Sequence, residues 1–401
     1  MSTTAHLNRA DFMAPPVAHT IAQRSFVAGA VFAVLALIGA FLQPDQFFRS
    51  YVLGYMDWLG LPLGCMALLM LIHMTGGTWA QAVRRIFEAA TRTIPLMVLL
   101  FIPIPLGARR LYVWMHPQDY PTDKHLQEIT HSYLPLGGMI GRAALYFAIW
   151  LVWMYFLNRW SAEQDEPGRA PRSNWRFRAL SGPGLILYAF TTTFASIDWI
   201  MSMDPSWIST IYGLLFLAGQ LLNAICFTVV VSAILIKYKP ASNYLKPDYI
   251  HDYGKLMLTF VMVWAYFSFS QWLIIWAGNL PDEISWYLRR LHGGWQFIGL
   301  MLALFHFAFP FLFLLSRSFK RRVSTLVWLA VWLMFMRFVD LFWIIEPNFH
   351  QTFHVSWLDI VVPIAIGGFW FGLFFRQLAS RPMLPLYDIN TPPVLEPAHH
   401  E

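Results

Sequence analysis

Arg337 and Asp340 stand three residues apart inside a long apolar run. At that spacing an arginine and a carboxylate meet on one helix face, where they can neutralise each other or relay a proton. Asp57, Arg142, Asp198, Gln271 and His306 also interrupt apolar stretches. Asp198 follows Thr191, Thr192, Thr193 and Ser196, and hydroxyls both donate and accept, as a hydrogen-bonded proton wire requires. The same hydroxyls could instead bond carbonyls of their own helix, and Asp204, just before Pro205, could cap the next one. Tyr266, Ser268, Ser270 and Gln271 form a second polar stripe, suited to proton conduction or to bonding between helices. His306 titrates nearer neutral pH than the acids and arginines around it. Haem ligation by His306 would need a facing histidine at similar depth, and His73, the other well-buried one, lies near the opposite end of its run. Glu346, His350 and His354 recur every four residues like metal ligands, but Pro347 interrupts any helix there. An interface or proton-exit role is the better reading of that trio.

These residues must be positioned by helices in a bilayer. Only 12% of the 401 residues are charged and 57% are hydrophobic, with a mean hydropathy of +0.50. A soluble domain carries roughly a quarter charged residues, so an ordinary water-soluble enzyme is excluded. A helix needs about 20 apolar residues to cross hydrocarbon. Ten runs qualify, near Ser25 to Leu42, Tyr51 to Met74, Ile94 to Leu106, Met139 to Leu157, Leu180 to Met201, Ile208 to Ile236, Leu256 to Ala277, Gly294 to Leu315, Val323 to Ile345 and Trp357 to Phe375. The expected fold is therefore an all-α integral membrane protein with ten transmembrane helices. A tail over 1–24 precedes the membrane domain at 25–376, and a Pro-rich tail over 377–401 follows as an extended arm lying on something else.

Counted over the tails and loops, twenty Lys and Arg fall on the side of both termini and six on the other. Basic residues are retained in the cytoplasm, so both termini are expected there, with the first run acting as an uncleaved signal-anchor. In that orientation Asp57, Asp198, Gln271, Arg337 and Asp340 fall in the outer half, and few ionisable groups serve the inner half. Cys65 and Cys226 stand alone in apolar segments, with no C-x-x-C-H, no cysteine set for an iron-sulfur cluster, no phosphate loop and no H-E-x-x-H. Tryptophans crowd the outer ends of the runs, as an aromatic belt or a flat cleft for a ring-bearing ligand would require.

Several segments together resemble one family. D-W-I-M-S-M-D-P-S-W-I-S-T-I-Y-G runs from Asp198 to Gly213, and S-Q-W-L-I-I-W-A-G-N-L-P-D-E-I-S-W-Y-L-R-R from Ser270 to Arg290. R-F-V-D-L-F-W-I-I-E-P-N-F-H follows from Arg337 to His350, and T-G-G-T-W (Thr75 to Trp79) with R-R-I-F-E-A-A-T-R-T-I-P (Arg84 to Pro95) lies upstream. These resemble the NrfD/PsrC-like membrane subunits of alternative complex III, specifically its second large membrane subunit, the ActF type. The resemblance implies two four-helix bundles flanked by the first and last helices, in a bacterial inner membrane. It also implies a homologous quinol-binding membrane subunit alongside, and periplasmic multihaem cytochrome and iron-sulfur subunits above. The assembly would oxidise quinol and reduce a cytochrome c or a terminal oxidase, with haem c and the clusters held by partners and no cofactor bound directly here. The family's subunit is proposed to hold a proton half-channel, and the matching motifs carry over Asp198, Gln271, Glu283, Arg337, Asp340 and Glu346 as path candidates. Asp57 and His306 join them from the reading of the spans. Two other readings stand beside this one. The chain could itself bind quinol near the outer face, with Asp198 or His306 taking the proton. It could also be a secondary transporter, for which Pro103 and Pro105 of the third run align with Pro310 of the eighth, without a polar unwound stretch at mid-membrane.

Overall fold

Ten helices in the computed structural model, which describes residues 9–119, 128, 132–169 and 173–391, are long and apolar enough to cross a bilayer. No strand occurs among the described residues, and the chain is an all-α, multi-pass integral membrane protein. Spans 1 to 5 are Pro16–Leu42, Pro44–Thr75, Trp79–Leu106, Leu136–Glu163 and Trp175–Met203. Spans 6 to 10 are Tyr212–Leu235, Asp248–Gly278, Trp295–Leu315, Val323–Asn348 and Leu358–Ala379. The face where residues 9–12 meet residues 383–391 is called the terminal face below, and the opposite one the distal face.

Spans 2 to 5 make one four-helix bundle and spans 6 to 9 the other. Spans 2 and 6 form the seam: their apolar windows are 78% and 83% buried inside the protein, against 17% for span 1. Two helices come that close only where a side chain is missing. A Cβ on Gly64 would lie 2.3 Å from the backbone oxygen of Gln220, so spans 2 and 6 touch main chain to main chain. Spans 1 and 10 pair with each other against span 2, crossing where a Cβ on Gly368 would lie 2.4 Å from the Gly29 Cα.

The structure departs from the apolar runs in several places. Span 1 begins at Pro16, a residue suited to the first turn of a helix because the missing N–H is not needed there. Span 3 begins at Trp79 rather than Ile94, so Arg84 and Arg85 lie on a helix and not in a loop, and Arg92 caps that helix's C-terminal end. The segment after span 10 is an arm on this chain's own terminal face rather than on something else: Met383 N–H donates to the Phe12 carbonyl at 2.7 Å, and Met383 and Leu384 are buried. Residues 392–401, like Lys124 and Arg172 of the charge count, lie outside the described residues.

Span 8 widens into a π-helical turn over Leu302–Ala308. Pro310 supplies a reason: in an α-helix its ring would press on the His306 carbonyl, four residues earlier, and even in the wider turn it has no N–H for the Phe305 carbonyl, five residues earlier. That carbonyl is satisfied instead by the Trp332 indole at 2.9 Å.

Candidate functional site

The distal half of the second bundle gathers most of the polar residues. Arg337 Nη1 donates to Asp340 Oδ2 at 2.5 Å, and the Trp264 indole donates to the same oxygen at 3.2 Å. Gly219 of span 6 leaves the room the guanidinium fills, since a Cβ there would lie 2.3 Å from the Arg337 Cζ. Asp57 of span 2 is half-buried within electrostatic range of Arg337, and its enclosed Oδ1 has no partner among the described residues. His306 sits in the π turn, fully buried and stacked on Trp264 at 4.0 Å, with neither ring nitrogen hydrogen-bonded among the described residues. Asp57, His306, Arg337 and Asp340 thus come together around span 9.

Just beyond them, the distal ends of spans 5, 7 and 9 close on the helix Pro281–Arg290. Span 7 stops where Asn279 takes the left-handed conformation (φ 46), and Pro281 opens the next helix at its first position. Ser209 donates to Gln271, and Gln271 donates to the Tyr287 hydroxyl, each at 3.3 Å. Trp207 stacks on Trp286 at 4.7 Å, and Arg289 pairs with Asp204. Asp204 thus makes an ion pair, and accepts from the Ser206 hydroxyl at 2.7 Å, rather than capping the next helix. Arg290 is fully buried, its guanidinium donating to the carbonyls of Trp286, Trp343 and Ile344 and to Asn348. Glu283 is half-buried in the first turn of the same helix. A cavity of about 650 Å³ opens beneath this helix between spans 7, 8 and 9, lined by Trp264, Gln271, Trp286, Arg290, Asp340 and Trp343 among others.

Asp198 and Glu346 lie apart from that group. Asp198 is clamped by Arg142 through two bonds of 2.8 and 3.0 Å and by the Tyr146 hydroxyl at 2.8 Å. Two of the hydroxyls before it bond their own helix, Thr191 donating to Leu187 O and Ser196 to Thr193 O, and Ser202 beyond it donates to Asp198 O, while Thr192 Oγ1 is enclosed without a partner among the described residues. Glu346 is fully buried, and neither carboxylate oxygen has a partner within hydrogen-bond distance among the described residues; His350 Nε2 lies 3.8 Å away. His350 is itself held by Arg49 at 3.3 Å and Gln46 at 3.2 Å. Among the described residues no three His, Cys, Asp or Glu are grouped to hold a metal ion.

A second charged cluster, not foreseen from the sequence, lies at the terminal face. Arg84 bonds Glu88, Asp388 and Gln164, each at 2.8 Å. Arg85 bonds Glu88 at 2.8 Å and pairs with Asp165, while Ser161 donates to Glu88 at 2.6 Å. All of these side chains are buried, and His73 lies alongside, stacked on Phe177, over whose ring the Arg84 guanidinium also sits. The half of the spans at the terminal face, expected from the sequence to be poor in ionisable groups, is therefore not so. The signal was present in R-R-I-F-E, whose arginines stand three and four residues before the glutamate, the spacing of helical ion pairs.

This cluster ties down the segment after span 10. Burial alone would raise the Asp388 carboxyl, but Arg84, the Asn390 N–H and Asn174 outweigh it and hold it below the usual aspartate range. A group depressed on folding stabilises fully above its unfolded value, about pH 4, and loses that contribution as pH falls through its folded value. Limited proteolysis is expected to leave 380–391 protected at neutral pH and to open it only below about pH 4. Asp388→Asn should be cut at neutral pH, and equal protection of the variant would remove Asp388 from the latch.

Compared with models of known protein families and with curated proteins, the chain matches none.

Proposed function

We propose that this multi-pass protein is a membrane subunit of a quinol-oxidising respiratory complex of the alternative complex III type, contributing scaffold and part of a proton path. The observation that carries the reading is the convergence of three of its resembling segments. Asp198–Gly213, Ser270–Arg290 and Arg337–His350 are remote in sequence, yet they meet through Arg289 with Asp204, Ser209 with Gln271, and Arg290 with Trp343 and Ile344. Electrons pass through haem c and iron-sulfur groups of periplasmic partners, and a homologous sister subunit oxidises the quinol. On this reading the terminal face is cytoplasmic in the inner membrane of a bacterium, which the twenty-to-six excess of Lys and Arg supports.

Buried ionisable groups inside a bilayer mark proton or substrate pathways unless they are only structural. On this reading protons enter beside His73 and Glu88, cross the seam, and reach Asp57, Arg337 and Asp340. The seam carries polar groups that could order water: Tyr188 donates to Gln220 at 2.8 Å, while Asn223 Oδ1 and Ser232 Oγ are enclosed without partners among the described residues. Two measurements test the reading. Membranes lacking the chain are expected to lose quinol oxidation by the complex, and full retention would overturn membership. Asp340→Asn is expected to keep turnover but lower the protons moved per electron, whereas unchanged stoichiometry at normal turnover would remove Asp340 from the path.

A further inference from the structure

Where spans 8 and 9 meet at the terminal face, we infer that the chain holds one anionic phospholipid, its phosphate on the linker 316–322 and an acyl chain along Trp328. The inference rests on the membrane-spanning fold alone and is independent of the complex reading above.

The linker is cationic without compensation. R-S-F-K-R-R, residues 317–322, holds four cations and no acid. Arg317, Arg321 and Arg322 are exposed, and none makes an ion pair among the described residues. Lys320 packs its stem against Gly254 of span 7, where a Cβ would lie 2.9 Å from the Lys320 Cγ. That turn of span 7 adds His251 and Lys255, both within electrostatic range of Lys320, while its acid, Asp252, is bonded to Lys255 at 2.8 Å. Unpaired cations gathered at the ends of membrane spans attract anionic headgroups.

A groove lies against this charge. A cavity of about 370 Å³ is lined by the polar Ser316, Ser318, Arg322 and Thr325 and by the apolar Leu312, Phe313 and Phe319. A guanidinium holds a phosphate through two parallel bonds. The Ser316 and Ser318 hydroxyls bond each other at 2.9 Å, which uses one of their protons and leaves the other for a phosphate oxygen. A smaller hollow shares Phe319 and Thr325 with the first and adds Ser324 and Trp328, so the groove continues along span 9. Trp328 stands five residues beyond Val323, where span 9 begins, and so about 8 Å deeper along the helix axis. Trp328 and Leu312 are both exposed on the surface that meets lipid. A phosphate site whose apolar wall leads into hydrocarbon fits a phospholipid better than a soluble anion or an acidic protein segment. A zwitterionic lipid would bring its ammonium among the guanidinium groups, with no acid on the linker to receive it.

The test delipidates the full chain in neutral detergent and counts bound lipid by native mass spectrometry, with dioleoylphosphatidylglycerol against dioleoylphosphatidylcholine. One phosphatidylglycerol per chain is expected to saturate, at least tenfold more tightly than phosphatidylcholine, and equal retention of the two overturns the proposal. Arg322→Gln should weaken phosphatidylglycerol binding about fivefold, the loss for one cation at a membrane surface. Its melting temperature should not change, because the side chain is exposed. Lys237→Gln removes an exposed cation from the loop after span 6, outside the lining, and should leave the affinity at the parent value. Equal losses in the two variants would mean a diffuse field rather than a site, and would overturn the proposal. Excess glycerol 3-phosphate should not displace the lipid; displacement would assign the site to a soluble phosphate instead. Photolabelling of the unmodified chain in nanodiscs, with phosphatidylglycerol carrying a diazirine on its acyl chain, gives an answer free of folding defects. Label within 312–328 supports the site, and label confined elsewhere overturns it.

Discussion

Glu88→Ala is expected to cost the protein about 3 to 5 kcal/mol, the usual penalty for removing one member of a buried ion pair and stranding the other. Glu88 has no exposure to solvent, and its two oxygens are shared between Arg84, Arg85 and Ser161. Without it two buried guanidinium groups face each other across the start of span 3, with Asp388 and Asp165 alone to balance them. Thermal unfolding in detergent, read by scattering or tryptophan emission, checks the expectation. Glu88→Gln keeps the shape and some hydrogen bonds, so it should fall between the alanine variant and the parent. A melting temperature within a degree or two of the parent for both would mean that the cluster is solvated and contributes little.

The second large effect is expected at Arg337→Leu. Asp340 would then keep only the Trp264 indole, and span 9 would bury a carboxylate with no cation against the seam. The loss should again be about 3 to 5 kcal/mol, and Arg337→Leu with Asp340→Leu should recover most of it, because the pair contributes less than the penalty for breaking it. A double variant as unstable as the sum of the two singles would show that the two residues are not coupled.

Much of the fold was legible because a bilayer imposes so strong a rule: each apolar run long enough to span the hydrocarbon became a span. The pairing of Arg337 with Asp340 was legible for a local reason, since three residues on a helix fix their meeting. The start of span 3 was not, because Arg84, Arg85, Glu88 and Arg92 make that stretch look like a loop when charge is counted residue by residue. What lets a helix carry them is a set of partners from Ser161, Asp165 and Asp388, the last some 300 positions away. The hydroxyls before Asp198 were ambiguous for a local reason: a spacing that suits a wire also lets serine and threonine bond the carbonyl three or four residues back, as Thr191 and Ser196 do. Arg290 and the cavity beside it depend on how three distant segments fold together, which no local pattern encodes.

The central claim is that this chain works as the membrane-embedded, redox-inactive member of a quinol-oxidising assembly. It is tested most directly by capturing the chain from native membranes in mild detergent, recording visible spectra and identifying the proteins retained. The account predicts the absorption of c-type haem, an iron-sulfur subunit and a second polytopic protein of similar size in the captured material. A colourless protein, stable and alone, would contradict it.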